Sequence, residues 1–325
     1  MFAQVNPYSG SDIGSFIGLF FSRLFDFSTS MASDELQIYV LLAISISSSI
    51  VGAFLILKKM AMLANALSHT ILLGIVLAFL VIKNFFSTDF TGFDINIEIM
   101  LLASLITGLL TTFLTDVLHK LFKLQEDASI GLVFTTLFAI GIILVTLFTR
   151  NSHIGTEVVM GNVDALEKDD LKLVWIIALI NIVVFVVFFK EFKIMAFDSP
   201  LAKSLGLFPL FFSYLLMIQV SLTTIGAFRA VGVLMVLSYL IGPTLIARLW
   251  CNRLKPLIFL SILIALIVSF LGVALSRHIL SNMGLAVSTG GLIVTLISLL
   301  YVFSLVFKKI KNMNKKDFTD LIEGV

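Results

Sequence analysis

The sequence is poor in charge. Only 13% of its 325 residues are Asp, Glu, Lys or Arg, about half the share of an ordinary soluble domain. Against that stand 59% hydrophobic residues and a mean hydropathy of +1.11. This balance excludes a soluble globular domain, and the same apolar load excludes a disordered chain. There is no basic surplus: 22 Lys+Arg against 20 Asp+Glu leave a net charge of +2, so nucleic acid is not an expected partner. The single cysteine, Cys251, excludes an intramolecular disulfide framework and a thiolate metal cluster. No Gly-Lys dipeptide occurs, which removes a Walker-type phosphate loop. Proline is scarce at five residues while phenylalanine reaches 31, a ratio suited to membrane helices.

What the sequence has is a succession of long apolar runs. A membrane-spanning helix needs about 20 such residues. Nine stretches qualify: 37–57, 62–82, 97–118, 128–149, 172–190, 208–226, 230–249, 255–276 and 284–307. Their length and the lack of strict two-residue alternation argue against a β-barrel. The expected fold is all-α, a polytopic membrane bundle of about nine helices. Residues 13–27 are too short to span, are interrupted by Arg23 and are flanked by Asp12 and Asp26; they read as an interfacial helix. Gly10, Gly14 and Gly18 form a ladder that suits either close packing on another helix or a flexible lead-in. No Lys or Arg precedes Arg23, so a cleaved signal peptide is not expected.

Basic residues set the expected orientation. With the N-terminus outside, Arg23, Lys83, Arg150, Lys168, Lys172, Arg229 and Arg277 face outward and the remaining Lys and Arg face the cytoplasm. The outer side also takes most of the acids, including Asp89, Asp94, Glu98, Glu157, Asp164, Glu167, Asp169 and Asp170. The chain then divides into an extracytoplasmic segment 1–36, a transmembrane domain 37–307 and a basic cytoplasmic tail 308–325. No piece between spans is long enough for a catalytic domain. If nucleotide drives this protein, another chain hydrolyses it.

The most informative short segment is Asp198-Ser199-Pro200-Leu201-Ala202-Lys203-Ser204-Leu205-Gly206. Ser199, held extended by the proline after it, suits an N-cap, and Pro200 suits the first helical position. Gly206 suits a left-handed terminator. The expectation is a two-turn cytoplasmic helix with a small face at Ala202 and with Leu201 and Leu205 on one side. Locally, a docking element for a partner and a structured turn between spans are both open.

His69 lies a few turns inside the second span, with Asn65 one turn earlier on the same face. Polar groups at membrane depth face the bundle interior or a water-filled path. Neutral imidazole is a good ligand for Mn, Fe or Zn, and it is equally good as interhelical glue. Glu126 and Asp127 open the fourth span, where the helix dipole favours them. His153 and Glu157 form a cation site only if their loop is helical, and Arg277 argues against one at His278. Gly242-Pro243 is expected to kink or break the seventh span, as broken helices in transporters often line a path. Ser45, Ser47, Ser48 and Ser49 suit close helix contacts or a polar path.

Read together, these segments resemble the permease subunits of bacterial ABC importers for manganese, zinc and iron. The blocks Gly52-Ala53-Phe54-Leu55-Ile56-Leu57-Lys58-Lys59-Met60-Ala61 and Ala66-Leu67-Ser68-His69 match the family pattern. So do Glu126-Asp127-Ala128-Ser129-Ile130-Gly131, the 197–206 segment and Ala230-Val231-Gly232 through Pro243, in the family's order. The resemblance covers about residues 37–305. It implies a permease dimer, of identical or paralogous chains, around a central path in the lipid of a bacterial inner membrane. It further implies a binding protein that delivers the metal from outside and two ATPase subunits below, with ATP held by those partners and no cofactor on this chain. The 198–206 helix becomes a coupling helix, with Asp198, Ser199, Pro200, Leu201, Ala202, Leu205 and Gly206 as its parts, and His69 a pathway residue. One departure concerns the path itself: the family's Asp before Ala-Leu-Ser-His is Asn65 here, a weaker and uncharged ligand. An ion-driven secondary transporter or channel is the rival reading; it asks for ionisable residues at the midplane of several spans, and the spans are nearly free of them. A membrane enzyme asks for a catalytic cluster at one membrane face, and four scattered histidines do not supply it.

Overall fold

A computed structural model describes residues 6–24, 31–85, 97–148, 163–166 and 168–323. Every regular element among them is helical. In chain order these are α1 (Ile13–Leu24), α2 (Ser33–Leu57), α3 (Ala61–Phe85), α4 (Ile97–Leu121), α5 (Glu126–Phe148) and a 3-10 turn (Val163–Ala165). There follow α6 (Lys168–Val187), α7 (Phe189–Phe197), α8 (Ser199–Ser204), α9 (Pro209–Val231), α10 (Val233–Trp250), α11 (Leu254–Met283) and α12 (Thr289–Glu323). Nine of these helices, α2–α6 and α9–α12, are long and apolar enough to cross a membrane.

Helix α2 is the post of the bundle. It packs against α6, α9, α10 and α11, and 78% of its most apolar stretch is buried, against 17% for α12. Sequence explains this position. Serines 45, 47, 48 and 49 and Gly52 leave little side chain, so neighbouring backbones come close. A Cβ on Gly52 would sit 1.8 Å from the Leu240 carbonyl oxygen of α10. The serines bond across helices: Ser45 to Ser269 at 3.0 Å and Ser47 to Thr223 at 3.1 Å. Asn181 of α6 donates to both Ser47 and Thr223. Two readings were open for this serine run, and at Ser45 and Ser47 the structure gives close contacts. Helix α3 forms the second centre, against α4, α5, α9 and α10.

The 13–27 reading falls on α1, which stops at Leu24; residues 25–27 lie outside the described residues. The helix buries Phe16 and Phe20 against Tyr8 and Phe270. Among the described residues nothing lies within 4 Å of a Cβ placed on Gly10, Gly14 or Gly18, and the ladder touches α11 through the Gly10 amide, which donates to Ser281 at 3.2 Å. Polar contacts hold the segment as well. Glu35 accepts from Arg23 Nε at 2.5 Å, Tyr8 at 2.8 Å and the Ala32 amide at 2.8 Å. Asp34 accepts from Asn6 at 2.7 Å and from Arg277 of α11 at 2.5 and 3.0 Å.

The boundary between the sixth and seventh spans is one residue, Gly232, at φ +79. Only glycine takes that angle without strain. Of the kink or break expected at Gly242-Pro243, the break is not there: α10 runs unbroken from Val233 to Trp250 with the buried Pro243 inside it. Proline removes one backbone hydrogen bond, and tight neighbours on α2 and α12 hold the helix regardless. Gly242 has a different job, since a Cβ there would sit 2.3 Å from Ile297 Cγ2 of α12. It is a packing glycine.

Candidate functional site: a capped surface helix and a histidine behind two phenylalanines

Helix α8 is six residues long and closed at both ends. At its start, Asp198 rather than Ser199 is the N-cap: Asp198 Oδ1 accepts the Leu201 amide at 2.9 Å. Ser199 and Pro200 are the first two helical residues. A carboxylate at the cap reaches the free amides and favours the positive end of the helix, so Asp outcompetes the residue next to proline. Ser199 instead turns its hydroxyl back to the Met195 carbonyl at 3.4 Å. At the other end Gly206 has φ +78, the Leu207 amide reaches the Ala202 carbonyl at 3.0 Å, and the Gly206 amide reaches Lys203 at 3.1 Å. This pair of bonds is the Schellman closure that glycine permits. Ala202 is buried against the chain while Leu201 and Leu205 are exposed, at 48% and 59%. Six residues cannot hold a helix alone; the caps and the Ala202 contact hold this one.

Behind α8 stands α7, locked by aromatic contacts. Phe192 is fully buried and lies 5.5 Å from Phe54 of α2, 4.8 Å from Phe185 of α6 and 5.6 Å from Phe212 of α9, ring centre to ring centre. Lys58, at the end of α2, extends into the same region. Its Nζ donates to Ser213 of α9 at 2.8 Å and lies 3.8 Å from the sulfur of Met195. Burial pushes its pKa down to about 8, against the pull of Glu126 and Asp116. Sequence reasoning counted Lys58 as a cytoplasmic positive charge and as part of the 52–61 block; its spacing in the chain carries no sign of the contacts it makes.

His69 lies on α3 with its ring 5.3 Å from both Phe134 and Phe138 of α5. Those two rings stack at 5.8 Å, forming a wall. Neither Asn65 nor His69 makes a side-chain hydrogen bond among the described residues, and both are half-buried. Among the described residues the imidazole meets α5 through ring contacts and not through a hydrogen bond. Among the described residues no three His, Cys, Asp or Glu side chains gather where a metal ion could be held. His153 and Glu157 lie outside the described residues. His278 faces Asp12 at 3.5 Å and Asn282, beside Arg277. The structure therefore brings 198–206 into one element and puts Asn65 and His69 on one helix, well separated in sequence from it. Sequence reasoning passed over Asn181 and Gln219, lone amides in apolar spans, although that isolation was their signal.

Comparison with known proteins decides the class. Residues 35–308 match the ABC 3 transport family. The chain belongs to the ABC 3 transport family. Its relatives include a protein of Chlamydia muridarum named "Probable metal transport system membrane protein", 41% identical over 94% of this chain and 95% of that one. The manganese transport system membrane protein MntD of Bacillus subtilis is 40% identical over 68% of this chain and 76% of its own length. The zinc transport system membrane protein TroD of Treponema pallidum is 30% identical over 82% and 73%. Among solved structures, PsaBC from Streptococcus pneumoniae in complex with Fab superposes at a TM-score of 0.70, with 26% identity, over 89% of this chain and 95% of that one. This ABC 3 member is a multi-pass membrane permease, the non-catalytic component of its transporter, with ATP hydrolysis assigned to a separate subunit. The family match begins at Glu35, so the segment carrying Tyr8 and α1 precedes the shared domain.

Proposed function

We propose that this permease carries a divalent transition metal, manganese, zinc or iron, inward across a bacterial inner membrane. Its N-terminus is outside and its C-terminus inside, with segment 1–36 extracytoplasmic, 37–307 in the membrane and 308–325 a cytoplasmic tail. Two permease chains, identical or paralogous, enclose the path within the lipid. A binding protein delivers the ion outside, and two ATPase subunits hold ATP below. Relatives named for manganese and zinc support the cargo. Excess of Lys and Arg on one side supports the orientation.

The observation that carries the mechanism is α8. A helix capped by Asp198 and closed at Gly206, showing Leu201 and Leu205 to the outside, has the size and the apolar knob to fit a groove on a soluble partner. Phe197 and Phe208, exposed at its two flanks, extend that surface. An ATPase that moves on binding nucleotide pushes on α8, and α7 passes the push to α2, α6 and α9 through Phe192. Asn65 and His69 supply an amide oxygen and an imidazole nitrogen one helical turn apart, neither hydrogen-bonded to another side chain among the described residues, as transient contacts for the passing ion. A neutral amide holds the ion weakly, which suits passage. Phe134 and Phe138 cover the imidazole in this conformation, and their displacement opens it. Gly242 and Pro243 contribute to the path only through the packing of α10.

The test is a mild-detergent pull-down of the tagged chain from its native membrane, with mass spectrometry of what accompanies it. An ATPase subunit in near-equal amount supports the proposal, and the permease composition shows one kind of chain or two. A chain recovered alone in several detergents contradicts the ATP-driven reading. Metal uptake by the reconstituted complex then identifies the cargo.

A further inference from the structure

We propose that Lys58 is a positioning residue that fastens helix α3, with its Asn65 and His69, to the surface helix α8. The inference rests on the reading of α8 as the place where an ATPase acts.

Three observations carry it. First, Met195 touches both sides: Ser199, the first residue of α8, bonds its carbonyl, and its sulfur lies 3.8 Å from Lys58 Nζ. Second, Lys58 holds α9 as well, through Ser213 at 2.8 Å. Third, the turn from Lys58 into α3 has no slack. The Lys59 amide bonds the Ile56 carbonyl at 3.1 Å, the Met60 amide bonds Leu55 at 2.9 Å, and Lys59 sits at φ +60. A side chain with a Cβ reaches that left-handed angle only at a cost, so the turn is held by what surrounds it. Helix α3 starts at Ala61, and Asn65 lies one turn further on. A shift of α7 and α8 that carries α9 with it moves both Met195 and Ser213 and therefore Lys58, and the closed turn hands the movement to α3.

The chemistry of the side chain argues against simple filling. Among the described residues Lys58 forms no ion pair. An amine held in a half-buried place by one hydroxyl carries a desolvation penalty that methionine of similar length would avoid. What lysine adds there is a donor that bonds Ser213.

The experiment uses the complete transporter in proteoliposomes, with manganese(II) and zinc(II) offered in parallel. Ions taken up and ATP hydrolysed are counted for wild type, Lys58→Met, Ser213→Ala and the double variant. The expected result is that each single variant keeps its ATPase rate while ions moved per ATP fall about tenfold, the size expected for losing one hydrogen bond from a charged donor. The double variant should be no worse than the poorer single one. A general loss of structure would lower hydrolysis and uptake together. If Lys58→Met fails to assemble, Ser213→Ala, which removes only a hydroxyl, carries the same test. Unchanged ions per ATP in the single variants, or losses that multiply in the double, overturn the proposal. Absence of ATP-driven uptake in the wild type strikes at the reading of α8 itself.

Discussion

The two ends of helix α2 are built on different principles. Asp34 and Lys58 stand roughly 36 Å apart by helical rise. At the Asp34 end, two buried carboxylates are each answered by an arginine, Asp34 by Arg277 and Glu35 by Arg23. Tyr8 and Asn6 add further donors, and burial, followed by the bond to Glu35, pushes the Tyr8 hydroxyl above its ordinary range. At the Lys58 end a cation has a hydroxyl in place of an anion, phenylalanines replace ion pairs, and apolar side chains are left facing outward. The first arrangement fixes one geometry, because breaking a buried pair strands a charge. The second is free to move as a unit: its phenylalanine contacts lose little when they slide, while Lys58 keeps its bond to Ser213. A transporter pushed from one side needs one fixed end and one that yields.

The largest effect that breaks this comparison is expected at Asp34. Asp34→Ala takes the anion from the part-buried Arg277 and should cost about 3 kcal/mol, read as a large fall in Tm of the detergent-purified chain. Lys58→Met at the opposite end should lower Tm far less. Next comes His69→Ala. Uptake is expected to fall about 10- to 100-fold, as for loss of a residue that tunes a metal site, while Tm stays within a degree or two of wild type in the same assay. Equal loss of Tm would make His69 a packing residue. Asp198→Ala removes the α8 cap, worth about 1 kcal/mol. Hydrolysis should persist without uptake, and full transport in this variant would contradict the role given to α8.

The pH response of Lys58 is read in stability alone. Its folded pKa of about 8 lies below the ordinary 10.5. Between these values the unfolded chain keeps a proton that the native chain has released, so stability rises with pH across that window. Tm measured from pH 8 upward should climb in wild type and lose this increment in Lys58→Met. The scan stops short of pH 10, where Tyr8, raised in the native state, begins to act with the opposite sign. The smallest effect belongs to the exposed pair Lys120–Asp116, an i,i+4 contact whose removal is expected to cost about 0.5 kcal/mol or less.

Much of the fold was legible because membrane physics writes it in long apolar runs: the nine spans were placed to within seven residues of the helices observed, except that α12 runs 16 residues past its expected end at 307, to Glu323. The closing glycine of α8 was legible too, since Gly206 follows a helical pattern that Pro200 opens. Asp198 and Ser199 both cap well, and only the structure shows that the helix starts one residue earlier than the X-Pro rule suggested. Gly242-Pro243 misled because a Gly-Pro pair marks a break in water, whereas here the glycine admits Ile297 and the neighbours hold the helix. The ties at Asp34 and Lys58 join residues 243 and 155 apart in sequence, and no local pattern announces such contacts.

The account turns on where the ATPase meets this chain. Replacing Cys251 with serine leaves no native cysteine, so single cysteines can be placed at Leu205 on α8 and at Leu19 on α1, both exposed, and armed with a photo-crosslinker in the native complex. The account predicts that Leu205→Cys crosslinks to the ATPase subunit and Leu19→Cys does not. A crosslink from Leu19→Cys, or none from Leu205→Cys in a complex that still hydrolyses ATP, would contradict it.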